Sequence, residues 1–245
     1  AAVTVTPTGT VHNDEVLTCS ATVTDPDETP ATTYEWTIDG AVVGAGSTLD
    51  LSSSGAMPGD TVVCTVTATD GEDTVSDSAS QSIANRNPSI TASITTNGTN
   101  INAELTCLGT ASDADGEMPT VTYEWFNASA SLGNGNPIQL NGTLASAGDV
   151  IDCVTTATDA SGGSDSATAS HTITNTAPVI TASITTNGTN VNAELTCLGA
   201  ATDADGETPT VTYEWFNASA SLGNGNPIQL NGTLASAGDV IDCVT

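Results

Sequence analysis

Lysine is missing from this 245-residue chain, and arginine occurs once, at position 86, against 29 aspartates and glutamates. The formal net charge of -28 makes the surface repel polyanions, which excludes nucleic acid and anionic membrane surfaces as partners. No apolar run approaches the roughly 18 residues that cross a bilayer, and no basic segment followed by an apolar core opens the sequence. The chain is therefore expected to be a mature exported product with no direct membrane insertion in this segment. Histidine occurs only at His12 and His171, in unrelated surroundings, and there is no Gly-x-Ser-x-Gly elbow. Abundant serine and threonine without a recurring base give no activated nucleophile, so no enzyme is expected and no catalytic residue is assigned.

What the chain does have is repetition. Residues 91–155 return as 181–245 with four changes, Ile101/Val191, Thr110/Ala200, Ser112/Thr202 and Met118/Thr208, at a period of 90 residues. A more diverged copy covers 1–84, aligned by Cys19, Tyr34-Glu35-Trp36, Pro58-Gly59-Asp60 and Cys64. Three domains follow, at 1–86, 87–176 and 177–245, joined by the short segments Asn85-Arg86-Asn87-Pro88 and Asn175-Thr176-Ala177-Pro178. The six cysteines fall two per repeat, as Cys19/Cys64, Cys107/Cys153 and Cys197/Cys243, with separations of 45, 46 and 46. No further cysteine or histidine accompanies either member of a pair, so the pairs are read as intradomain disulfides formed in an oxidising compartment.

Between turn residues the segments alternate apolar and polar with period two, which predicts an all-β chain. In the second repeat, 90–94 reads as a first strand and Asn97-Gly98 as a tight hairpin turn. Ile101, Ala103, Leu105 and Cys107 then face inward on the next strand. Val121, Tyr123 and Trp125 do so on a third, Ile138 and Leu140 mark another, and Ile151, Cys153, Thr155 and Ala157 form the inward face after the 146–149 turn. Residues 164–173, rich in serine and threonine, read as a final exposed edge strand. A cysteine strand, a tryptophan 17 or 18 residues later and a second cysteine strand are the layout of an antiparallel immunoglobulin-like β-sandwich, with the tryptophan on the disulfide.

The acidic D-x-D segments (Asp25/Asp27, Asp113/Asp115, Asp203/Asp205) precede the Tyr-Glu-Trp strands, and Thr37-Ile38-Asp39-Gly40 follows the first of them. With the G-D-x-x-x-C-x-x-x-A-T-D runs at 59–70 and 148–159, these features make the whole chain resemble the PKD-like and immunoglobulin-like tandem repeats of prokaryotic surface and extracellular proteins. The resemblance implies spacer, stalk or appendage roles. Two departures accompany it: the PKD pattern has no cysteine pair, and Val62 and Ile151 stand where a tyrosine corner would place tyrosine.

The acidic loops carry the clearest chemistry. Asp113, Asp115 and Glu117, with Asp203, Asp205 and Glu207 and with Asp25, Asp27 and Glu28, fall on the loop before the tryptophan strand, and Asp159 or Asp70 on the loop after the second cysteine strand. In an immunoglobulin-like sandwich both loops lie at the end nearest the preceding domain, so hard oxygen ligands converge there, and calcium is the one candidate cofactor. An EF-hand is excluded, because Gly116 takes the fourth position and Met118 the sixth. A solvated acidic loop is the plain alternative. N-x-Ser/Thr sequons at Asn97, Asn127, Asn141, Asn187, Asn217 and Asn231 are candidate glycan sites, although Asn-Gly-Thr turns arise by composition alone in such a chain. Trp36, Trp125 and Trp215 are expected in the core rather than stacking on sugar.

Near-identity of consecutive copies favours length over a unique site, so the expected function is a non-enzymatic segment of an extracellular fibre, filament or cell-surface stalk. Its partners would be neighbouring repeats of the same protein. The alternatives are an adhesin or carbohydrate-binding module with a surface or glycan target, and a spacer of a secreted hydrolase. The third repeat breaks off at Thr245, before the counterpart of 156–173. Continuation of the chain is the favoured expectation, and a strand donated by a neighbouring subunit, with 1–10 as the candidate, is the other.

Overall fold

The computed structural model describes residues 2–26 and 28–245. Strands dominate, and one short 3-10 turn, Leu51–Ser53, is the helical structure among the described residues. The first sandwich sets a sheet of β1 (Ala2–Thr6), β2 (Val16–Thr22) and β5 (Thr48–Asp50) against one formed by β3 (Ala31–Ile38), β4 (Ala41–Ala45), β6 (Thr61–Thr69) and β7 (Thr74–Ser82). Their orders are β1-β2-β5 and β4-β3-β6-β7. In the second, β8 (Ser89–Thr96), β9 (Glu104–Ser112) and β12 (Ile138–Gln139) face a sheet of β10 (Thr120–Asn127), β11 (Ala130–Gly133), β13 (Val150–Thr158) and β14 (Ser164–Thr172). These run β8-β9-β12 and β11-β10-β13-β14. The third pairs β15 (Val179–Thr186), β16 (Glu194–Thr202) and β19 (Ile228–Gln229) with β17 (Glu214–Asn217), β18 (Ala220–Gly223) and β20 (Ile241–Val244), in the orders β15-β16-β19 and β18-β17-β20. Strand pairing is antiparallel throughout, apart from an isolated parallel bridge between Val11 and Ile83.

Alternation places the core as expected. On β13, Ile151, Cys153, Thr155 and Ala157 are buried, with half-exposed residues between them. Trp125 lies opposite Cys153 in the β10–β13 register, and both are fully buried; Trp36 with Cys64 and Trp215 with Cys243 repeat the pairing. Each indole N–H donates to a backbone carbonyl, of Gly46 at 2.9 Å, Gly135 at 3.1 Å and Gly225 at 3.0 Å, so the ring's one polar atom is satisfied inside the core. The disulfides are Cys19–Cys64, Cys107–Cys153 and Cys197–Cys243, joining the two sheets across Cα distances of 6.4, 6.2 and 6.2 Å. The tryptophans are core residues and offer no face to a sugar.

Two local expectations need correction. Asn97 and Gly98 do not form a tight hairpin turn, and neither has a positive φ. The chain instead crosses the end of the sandwich before β9 starts at Glu104, because Ile101 and Ala103 are themselves core residues and must be delivered to it. The Asn97 side chain accepts from the Glu104 N–H at 2.8 Å and closes this longer connection. The second correction is strand β11, which alternation did not reveal; it pairs with β10 through a bulge at Trp125/Phe126, and Ala128 supplies the left-handed turn residue, with φ 51°. Side-chain amides complete what the short strands leave unpaired: Asn136 exchanges two hydrogen bonds with the backbone of Cys107, at 2.9 and 2.8 Å, in place of a ladder rung.

A loop of this size closed by a disulfide is worth about 4 kcal/mol in the chain-entropy model, comparable with much of the stability of a small domain. Replacing Cys107 and Cys153 together by alanine should therefore lower the stability of the second domain by roughly 2–4 kcal/mol. Denaturant unfolding monitored by tryptophan fluorescence would register the change as an earlier transition, while the Cys19→Ala/Cys64→Ala variant should shift a different one.

Candidate cation site at the domain junction

The linker between the first two domains carries the only basic side chain of the protein, and that side chain is the best-connected group in the junction. The Arg86 backbone N–H donates to Asp115 Oδ2 at 2.6 Å and its Nε to Asp115 Oδ1 at 2.9 Å. Nη1 reaches Asp14 Oδ2 at 3.0 Å, and Nη2 donates to Asn13 Oδ1 at 3.1 Å and to the Ala114 carbonyl at 3.2 Å. Asn13 Nδ2 in turn donates to the Asp115 carbonyl at 2.8 Å. The Asp115 side chain is fully buried, so a planar guanidinium and the Arg86 backbone N–H hold a charge that would otherwise be costly to desolvate. Asn13 and Asp14 belong to the first domain and Ala114 and Asp115 to the second; one residue joins them.

Beside this pair the acidic loop gathers. Asp113, Asp115 and Glu117 offer ligand atoms that lie within 4.8 Å of one another. Asp113 Oδ1 accepts from the Asp115 N–H at 2.7 Å, and Glu117 Oε1 accepts from Ser161 Oγ at 3.2 Å. Their second oxygens, Asp113 Oδ2 and Glu117 Oε2, are buried and take no hydrogen bond, and neither does Asn85 Oδ1. The Asn85 amide nitrogen donates to Asp159 Oδ2 at 3.0 Å, and Gly163 N–H to Asp159 Oδ1 at 2.7 Å. The Asn85 amide, followed by the backbone N–H groups of the 161–163 turn, holds the Asp159 carboxyl below its ordinary value, so it stays ionised. A Cβ at Gly163 would stand 2.4 Å from Asp159 Oδ2, 2.6 Å from Asn85 Nδ2 and 2.7 Å from Asn87 Oδ1, so a side chain there would displace the polar groups gathered around the turn. The turn is thereby pressed against the linker. Buried acceptor oxygens without donors, in a junction where carboxylates outnumber the one guanidinium, are what a hard divalent cation satisfies.

The other acidic residues singled out by sequence are distributed differently. At the second junction the Thr176 N–H donates to Asp205 Oδ2, and Thr176 Oγ1 to Asp205 Oδ1 at 3.4 Å. Asn102 Nδ2 donates to the Ala204 carbonyl at 3.0 Å, matching the role of Asn13. Asp203 caps the Asp205 N–H at 2.7 Å, whereas Glu207 is exposed and does not join them. In the first domain Asp25 and Asp70 line a shallow crevice of about 100 Å³ with Asp73, and Asp25 accepts from the Glu28 N–H at 3.2 Å. The N–H groups of Asp73 and Glu72 hold the Asp70 carboxyl below its ordinary value, so its oxygens serve the turn. Asp27 lies outside the described residues. His12 contacts Glu15 at 3.5 Å.

The sequons divide. Asn127 Nδ2 donates to the Leu144 carbonyl at 3.0 Å and to Asp149 Oδ2 at 2.7 Å, and Asn217 repeats this with Leu234 and Asp239 at 3.1 and 2.7 Å. These two amides clamp the end of a strand to the turn before the second cysteine, and the folded chain has no free nitrogen to offer there. Asn97, Asn141, Asn187 and Asn231 are exposed, and in each the side-chain oxygen accepts from the backbone. No protein-family model matches the chain and no curated protein does, so the functional reading rests on this geometry.

Two outcomes follow. Substituting Arg86 by leucine should leave the three sandwiches folded but destabilise the first junction by about 1–2 kcal/mol, a figure reduced for the guanidinium's partial exposure. The same variant should move Asp14 in an NMR titration. The guanidinium depresses the Asp14 carboxyl below 3.8 in the native chain, so its contribution is complete above the ordinary carboxylate range, is lost as pH falls through the depressed value, and should vanish with the substitution. For the sequons, glycosylation of the folded protein by an added oligosaccharyltransferase should, by peptide mass spectrometry, mark Asn97, Asn141, Asn187 or Asn231 and leave Asn127 and Asn217 bare.

Proposed function

We propose that this chain is a non-enzymatic segment of an extracellular fibre, filament or cell-surface stalk, similar in kind to PKD-like and immunoglobulin-like tandem repeats, in which calcium stiffens the first junction. The observation that carries the reading is the junction itself: the linker is bound to the next domain through Arg86 and Asn85, and the first domain through Asn13, rather than left as a free tether. The near-identical second and third domains support it, because an array that gains by repetition needs each unit to hold its neighbour at a set angle. Disulfides in every domain agree with an oxidising, extracellular setting, and no helix among the described residues is long and apolar enough to cross a membrane.

Calcium fits the first junction for three reasons. Its ligands are carboxylate and amide oxygens; the oxygens left without donors are buried; and flexible six-to-eight coordination tolerates a site assembled from a loop, a turn and a linker. Asp113 and Glu117 would be direct ligands, with Asn85 completing the set and Asp115 committed mainly to Arg86. The adhesin and carbohydrate-binding readings draw no support from loop variation, since 127–141 and 217–231 are identical.

In small-angle scattering each domain should add about 35 Å to an elongated particle, the length of a nine-residue strand plus its loops. Chelation should lower the melting temperature and reduce the maximum dimension, with half-effect near the 10⁻⁴ to 10⁻³ M range typical of extracellular calcium modules. Asp113→Asn combined with Glu117→Gln should abolish that sensitivity, whereas Asp203→Asn should leave it in place. A compact particle, or one indifferent to chelator before any substitution, would remove the stalk or the calcium part of the reading respectively.

A further inference from the structure

The second domain contains three Asn-Gly pairs, at Asn97, Asn134 and Asn141. In such a pair the side-chain amide and the next backbone nitrogen can meet, because glycine has no Cβ to obstruct their approach. Two of the three are restrained by the fold. The Asn97 side-chain oxygen accepts from the Glu104 N–H at 2.8 Å, and the Gly98 N–H donates to Thr96 Oγ1 at 3.1 Å. The Asn141 side-chain oxygen accepts from the Thr143 N–H at 2.9 Å, and its backbone carbonyl accepts from the N–H groups of Leu144 and Ala145 at 2.9 and 3.1 Å. Asn134 is different. It lies exposed in the bend between β11 and β12, and neither its side chain nor the Gly135 N–H makes a hydrogen bond among the described residues. On its other side Gly133 has a φ of 102°, so the asparagine stands between two residues without side chains. Restraint begins only after it: the Gly135 carbonyl accepts from Trp125 Nε1 at 3.1 Å, and Asn136 is bound to the backbone of Cys107. Gly223-Asn224-Gly225 repeats the arrangement with Trp215 at 3.0 Å, whereas the first domain has Ala45 at the corresponding place.

We propose that Asn134, with its copy Asn224, is a site of spontaneous covalent self-modification, at which the folded chain converts asparagine to isoaspartate and aspartate with water as the only co-reactant. The Gly135 nitrogen gives its proton to base and bonds to Asn134 Cγ. The bond from Cγ to the side-chain nitrogen breaks, and that nitrogen takes a proton from water and leaves as ammonia. The product is a succinimide ring whose nitrogen belongs to Gly135. Water then opens the ring at one of its two carbonyls. Opening at the former backbone carbonyl leaves Gly135 joined through the side chain, as isoaspartate, with an extra methylene in the path of the main chain; opening at Cγ gives aspartate. Either way one water is consumed, one ammonia is released and one carboxylate is gained. The chain supplies no catalytic group, and the choice among the three asparagines is made by which amide and which nitrogen the fold leaves free to move. The added methylene falls in the exposed bend, on the solvent side of the hydrogen bond that ties Gly135 to Trp125, so the core stays closed. Each Gly-Asn-Gly bend thus records the time the protein has spent folded as added negative charge.

Incubation of the full 245-residue chain at neutral and mildly alkaline pH, followed by digestion in acid and peptide mass spectrometry, tests this. Electron-transfer fragmentation separates isoaspartate from aspartate, and in heavy-oxygen water the new carboxylate should carry one heavy oxygen. In the folded protein Asn134 should convert at least about tenfold faster than Asn97 or Asn141, because those two must first give up their hydrogen bonds. Alkaline pH should accelerate the reaction, since the attacking nitrogen must lose its proton. In denaturant the three rates should converge. Gly135→Ala keeps the fold, as its φ is not positive and the nearest atom to the new Cβ is the Pro137 carbonyl oxygen at 3.9 Å. It should slow Asn134 by at least about tenfold, because the methyl group obstructs ring closure, and leave Asn97 and Asn141 unchanged. Equal rates at the three sites of the folded chain, an inert Asn134 under conditions in which the unfolded chain reacts, or an Asn134 rate indifferent to Gly135→Ala would each overturn the assignment.

Discussion

Two sheets that share few aromatic residues must be held in register by something other than bulk, and in every repeat this is a tryptophan lying against a disulfide. The indole fills the centre of a core otherwise built of valine, leucine, isoleucine and alanine, and its N–H is bound to the carbonyl of Gly46, Gly135 or Gly225. Because Trp125 sits directly across from Cys153, moving β10 by one residue would turn the ring to solvent and break the pairing with the disulfide together. The loops at the domain ends inherit their positions from that register, and with them the acidic cluster that faces the linker.

The strands were legible wherever one face is buried and the other wet. Ile151, Cys153, Thr155 and Ala157 announce β13 by alternation alone, and cysteine spacing announces its partner across the core. Alternation fails where tertiary packing overrides the local signal. Asn97-Gly98 has the composition of a tight turn, but Ile101 and Ala103 are needed in the core, and the chain runs on to place them. Strand β11 is short, carries little apolar pattern, and exists chiefly because β10 offers it an edge.

The candidate site was half visible. Aspartates in a D-x-D segment before the tryptophan strand pointed to Asp113, Asp115 and Glu117, which do meet, and to Asp159, which shares their junction through Asn85. The same reasoning could not separate the second and third repeats, because what differs is the partner across the boundary: Arg86 at one linker and Thr176 at the next. Arg86, Asn13 and Asp14 were missed as site residues. The usable signal was the placement of the sole basic residue of 245 in a linker, a position where a charge without counter-charges has no reason to be.

That arginine also bears on how the protein meets digestive enzymes. Serine proteases of the trypsin class cut only after lysine or arginine, and here the peptide bond after Arg86 is the single place on which they could act. To be read, the side chain must enter the protease's specificity pocket, yet it is tied to Asp14, Asn13, Ala114 and Asp115, and its own backbone N–H is held as well. Cleavage would require the junction to open first. A chain almost without cations is thus nearly invisible to an entire class of proteolytic attack, and its one vulnerable bond is locked for as long as the two domains stay docked.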